Sequence, residues 1–64
     1  MRLRDDILRR MGRKNKTWTT GQLLGVLLDF YPELTRDELI TTLEDLAVEG
    51  RVKQTWNDVW KLVA

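Results

Sequence analysis

The sequence predicts a mainly α domain with a small β-hairpin: three helices, then two antiparallel strands. Three observations carry this. Thr19 with Gln22, and Thr35 with Glu38, repeat the spacing of a helix-start capping box. Gly50 follows an apolar run of helical period and marks its end. Beyond it the period falls towards two, and Trp56-Asn57-Asp58 interrupts the alternation as a hairpin turn would.

The elements follow in order. Leu3, Ile7, Leu8 and Met11 recur at helical spacing, so residues 2–11 form an amphipathic first helix ending at Gly12. Arg13-Lys14-Asn15-Lys16 is a polar, basic connector, and Thr17-Trp18-Thr19 has the residue types of a very short strand. The second helix runs from Thr20 to Tyr31 and is stopped by Pro32. Leu23, Leu24, Leu27, Leu28 and Tyr31 form its apolar stripe. Gly25 lowers its helix propensity and implies the close approach of a neighbouring element. The third helix runs from Arg36 to Glu49 and buries Leu39, Ile40, Leu43, Leu46 and Ala47.

The hairpin admits two registers. A two-residue Asn57-Asp58 turn puts Val52, Trp56, Val59 and Val63 on one face. A three-residue loop, Trp56 to Asp58, turns Val52, Trp60 and Leu62 inward and Arg51, Lys53, Thr55 and Lys61 outward. The second is preferred because it buries Trp60 and gathers the basic side chains, but a slip of one residue exchanges the faces.

Length and composition bound the function. Sixty-four residues, 42% of them hydrophobic, make one domain over residues 1–64 with a small core. Cysteine, histidine and serine are all missing from the chain. That removes a disulfide framework, Cys/His metal sites and the commonest general base, so no enzyme, metal or cofactor is expected. Residues 1–6 lack the apolar core of a signal peptide, and Leu23 to Leu28 is too short to cross a membrane. A cytoplasmic protein is the expectation.

The net charge of +1 conceals a strong asymmetry. Residues 1–16 hold Arg2, Arg4, Arg9, Arg10, Arg13, Lys14 and Lys16 against Asp5 and Asp6. Residues 35–50 hold Arg36 against Asp37, Glu38, Glu44, Asp45 and Glu49. Residues 51–64 are basic again through Arg51, Lys53 and Lys61.

The order of elements resembles the winged helix-turn-helix superfamily. Trp18-Thr19-Thr20-Gly21-Gln22-Leu23-Leu24 is similar to its first strand and second helix. Leu39-Ile40-Thr41-Thr42-Leu43-Glu44-Asp45-Leu46-Ala47-Val48-Glu49-Gly50-Arg51-Val52 resembles its third helix and entry to the wing. Val59-Trp60-Lys61-Leu62 looks like the returning strand. The resemblance implies double-stranded DNA as the ligand, with helix three in the major groove and the wing on the backbone or minor groove. Other members are protein-interaction modules.

Helix three departs from that pattern. The face opposite Leu39 and Leu43 carries Asp37, Glu38, Thr41, Glu44, Asp45 and Val48, which supplies no cationic donor for base edges. The first expectation is therefore a small DNA-binding transcriptional regulator or accessory protein that docks mainly on phosphates. Arg13, Lys14 and Lys16 of the connector would contact the backbone, as would Arg51, Lys53, Asn57 and Lys61 of the wing. Thr35, Arg36 and Thr41 would give limited contact from helix three. The alternative is a protein adaptor or inhibitor that uses Glu44, Asp45 and Val48 of the acidic helix, or Trp56, Val26 and Phe30.

Trp18 and Trp60 are expected in the core, and Trp56 either at the core edge or against a partner. Val26 and Phe30 either complete the core, the preferred reading, or form an apolar patch for a homodimer that reads two half-sites. Arg2–Asp6, Asp5–Arg9 and Asp6–Arg10 have the spacing of ion pairs along an exposed helix. A small chain with this mixture of charge would suit a phage or mobile element.

Overall fold

The computed structural model describes residues 2–14 and 17–63, of Lys14 the backbone alone. The elements are α1 (Leu3–Lys14), β1 (Trp18–Thr19), α2 (Thr20–Leu27), α3 (Arg36–Val48), β2 (Val52–Trp56) and β3 (Val59–Leu62). The hairpin strands are joined by β1 in a three-stranded sheet of order β1-β3-β2, antiparallel throughout. Three helices and this sheet make the winged-helix fold that the pattern of caps and turns predicts. Thr17-Trp18-Thr19 does contribute the short strand, by pairing Trp18 with Trp60 and Thr19 with Val59.

Apolar periodicity accounts for the core. Ile7 and Met11 of α1, Leu23 and Leu27 of α2, and Leu39, Leu43 and Leu46 of α3 are buried together with Val52 and Trp60. Leu3, Leu8, Leu24, Tyr31, Leu34, Ala47 and Leu62 pack around this centre, half-buried. Trp60 is core as expected, whereas Trp18 is half-buried at its edge.

Helices α2 and α3 both start at the expected threonines, with a complete capping box only at the first. The Thr19 hydroxyl accepts from the Gln22 N–H at 3.0 Å, and the Thr19 N–H donates to the Gln22 side chain at 3.1 Å. At Thr35 the hydroxyl accepts from the Glu38 N–H at 3.2 Å, but it donates to the Glu38 carboxylate itself, so this box is half complete. The end of α3 is a Schellman motif. The Gly50 N–H reaches the Ala47 carbonyl and the Arg51 N–H reaches that of Leu46, with Gly50 at φ 79.

Four expectations need correction. First, α1 does not stop at Gly12 but continues to Lys14. A Cβ on Gly12 would lie 3.4 Å from the Leu62 side chain, so this glycine is where α1 approaches β3. Second, Gly25 has no such neighbour within 4 Å. Third, α2 ends at Leu27 and not at Tyr31. Pro32 disfavours helical backbone at Tyr31, and its influence reaches back: the Phe30 and Tyr31 N–H groups both fold onto the Leu27 carbonyl in a tightened turn. Leu28, the C-cap, is exposed and not part of a core stripe.

The fourth concerns the hairpin, which combines the two registers. Trp56 pairs with Val59 across Asn57-Asp58, then the ladder shifts by one residue, so that Gln54 faces Trp60, Lys53 faces Lys61 and Val52 faces Leu62. The shift is a bulge around Thr55, and Asp58 takes the left-handed conformation, φ 60, at the turn. Beyond the bulge the faces are those of the three-residue loop. Val52 and Trp60 are buried and Leu62 is half-buried, while Arg51, Lys53, Thr55 and Lys61 are exposed.

Candidate nucleic-acid interface

The bulge decides what the wing displays. Residues directly opposite in an antiparallel pair share a face, so Trp56 and Val59 lie on one side with Lys53 and Lys61. In an unbroken ladder continued from Trp56–Val59, Lys53 would face Leu62 and turn inward. The extra residue lets Trp56 and Lys53, three apart in sequence, both point away from the core. Arg51 extends the same face, since its carbonyl accepts from the Val63 N–H beside the Lys53–Lys61 pair.

Lys53 and Lys61 are an electrostatic conflict. Like charges directly opposite on a sheet destabilise it, and among the described residues neither lysine is in an ion pair. An anion placed between them relieves that repulsion. Asn57, exposed at the turn, adds an amide that both donates and accepts.

The tip of the wing is fixed to the helices. The Asp58 carbonyl accepts from the Thr20 N–H at 2.9 Å, and its carboxylate accepts from the Arg36 guanidinium at 2.8 Å. Among the described residues, Thr20 is the one buried polar residue of the core. Its hydroxyl accepts from the Trp60 indole N–H at 3.0 Å and donates toward the Asp58 carbonyl at 3.4 Å. Sequence reasoning took Thr20 only as a helix start, because a contact across about forty residues leaves no mark in local spacing.

Helix three offers little to DNA beyond this anchor. Arg36 is engaged by Asp58, and the Thr35 hydroxyl is committed to Glu38 as a cap. Thr41 is exposed but stands among Asp37, Glu38, Glu44 and Asp45, all exposed as well. Val48 is 89% exposed at the end of this acidic face. Asp37 and Glu38 complement the helix dipole and occupy the end where a phosphate would otherwise be favoured.

Around α1 the structure reassigns the charges. Among the described residues none of the three expected i,i+4 ion pairs forms, and Asp6 and Arg10 have longer-range partners. Asp6 accepts from the Tyr31 hydroxyl, and Arg10 stacks over the Phe30 ring at 4.5 Å. Arg4 pairs with Glu49, just past α3. The hydrogen bond from Arg4 holds the Glu49 carboxyl below its ordinary pKa and raises that of Arg4. The bond to Asp6 raises the pKa of Tyr31. Phe30 is 62% exposed, so it does not complete the core, and Val26 is half-buried. Arg9, Arg10 and Arg13 surround Phe30 in a shallow, mostly basic depression that sequence reasoning missed by assigning Arg9 and Arg10 to local pairs. Arg13 is exposed, while the Lys14 side chain and Lys16 lie outside the described residues. Among the described residues, no helix is long and apolar enough to cross a membrane.

No protein-family model matches the chain, and no curated protein matches it. A solved structure does. It belongs to HOP2, in a study of DNA recognition and protein interaction domains and of homologous DNA pairing. The identity is 22%, with 94% of this chain and 97% of that one covered and a TM-score of 0.77. At this level of identity the likeness establishes the fold, a winged helix.

Proposed function

We propose that this winged-helix domain binds double-stranded DNA, mainly through phosphates, in a regulatory or accessory role and not as an enzyme. The observation that carries the reading is the outer face of the wing, where Arg51, Lys53 and Lys61 are exposed together and two of them confront each other. Such contacts supply affinity and salt dependence without reading sequence. The acidic outer face of α3 supports the second part, since a helix carrying Glu44 and Asp45 is repelled by phosphates and offers no bidentate donor to a base. The basic stretch from Arg13 to Lys16, whose first two residues close α1, is assigned to the same backbone contacts. Titrating a labelled duplex at low ionic strength tests this reading. Binding is expected for unrelated sequences alike, and Lys53→Glu with Lys61→Glu is expected to abolish it. A wild-type chain that binds no duplex would remove the proposal.

A second reading is supported by the same acidic face. Asp37, Glu38, Glu44 and Asp45 are exposed, and among the described residues none is in an ion pair, which suits a basic protein partner. A partner lost on Glu44→Lys with Asp45→Lys, with duplex binding unweakened, would favour it.

A further inference from the structure

We propose that Trp56 is a base-stacking residue, and that the wing therefore favours DNA carrying an unpaired base over a fully paired duplex. This rests on the DNA-binding reading above and deepens it. The three tryptophans have separate fates. Trp60 is buried with its N–H satisfied by Thr20, and Trp18 packs against the core. Trp56 is 75% exposed at the end of β2, so its indole contributes little to the core.

Its position suits a nucleic-acid contact. Because of the bulge, the indole sits on the same face as Lys53 and Lys61, with Lys61 about 7 Å of strand rise behind Val59, the residue opposite Trp56. An aromatic face ahead of paired cations is the combination that tracks a phosphate backbone while stacking on a base. The adjoining turn is already fixed, through the Thr20 and Arg36 bonds to Asp58, so little ordering is left for binding to accomplish. A π-face accepts any base, but only a base that is out of the duplex stack. An unpaired base presents that surface at least cost.

Two labelled duplexes of equal length, one fully paired and one with a central unpaired base, are titrated at low salt with wild type, Trp56→Ala and Trp56→Phe. Wild type is expected to bind the second duplex more tightly. Trp56→Ala should weaken that complex roughly tenfold and erase the preference. Trp56→Phe should retain most of both. Acrylamide quenching of the exposed tryptophan should fall when the unpaired-base duplex is added. Circular dichroism confirms that the variants are folded. If Trp56→Ala binds both duplexes as tightly as wild type, stacking is overturned while phosphate binding stands, and the indole is left for a protein partner. If wild type binds neither duplex, the DNA reading falls, and this inference with it.

Discussion

The Thr20 hydroxyl sits between the Trp60 indole N–H at 3.0 Å and the Asp58 carbonyl at 3.4 Å, buried where α2 meets β3. Removing it leaves a buried donor unsatisfied, and valine, of similar shape, isolates that effect. Thr20→Val is expected to cost about 1–3 kcal/mol, visible in urea as a lower midpoint with an unchanged slope. Thr20→Ser should recover most of the loss. Gly50 is the other residue with a defined cost, because its φ of 79 is one that side chains resist. Gly50→Ala is expected to lose about 1–2 kcal/mol in the same measurement.

At the scale of elements, the parts readable in sequence are those fixed by neighbours along the chain. The Thr19 box and the Gly50 stop depend on residues a few positions away, and the helices begin or end there as expected. Gly25 and Gly12 show where that reading ends. The sequence pattern places Gly12 at a helix end and Gly25 against a neighbour, yet of the two it is Gly12 that lies against another element, Leu62 of β3. Gly25→Ala should therefore stabilise the protein by up to about 1 kcal/mol, since the added methyl meets no neighbour within 4 Å. Asp6 and Arg10, expected in i,i+4 pairs along α1, take Tyr31 and Phe30 instead, and Arg4 takes Glu49, partners that only the packing of the helices brings near.

The Arg4–Glu49 pair joins α1 to the end of α3 and has a signed consequence for pH. Glu49 has a lowered pKa in the folded chain, so the unfolded chain binds its proton more readily. The pair's contribution is present above the ordinary value of 4.5 and is lost as pH falls through the lower folded value. Thermal melting of wild type should fall more steeply on acidification below about pH 4.5 than that of Glu49→Gln. Parallel curves would show that the pair contributes nothing to stability.

Across the whole molecule, charge is sorted by surface: an acidic face on α3, a basic face on the wing, and arginines around Phe30 on the α1 side. The sign of each segment was legible from the sequence. So was the gathering of Arg51, Lys53 and Lys61 on the outer face, which the preferred register predicts; the bulge that combines the two turns was not, since it goes with the contacts of Asp58 to Thr20 and Arg36 across the fold. The same bulge rotated Trp56 to the surface that Lys53 and Lys61 occupy. The wing, and not the third helix, is therefore the surface proposed to meet DNA.

That claim is tested most directly by the salt dependence of duplex binding, measured for wild type and for Lys53→Ala with Lys61→Ala. Each phosphate contact contributes about 0.9 to the slope of log K against log salt. Loss of both lysines should reduce the slope by about 2 and weaken binding to unrelated sequences equally. An unchanged slope in the double variant, with wild type still bound, would contradict docking through the wing.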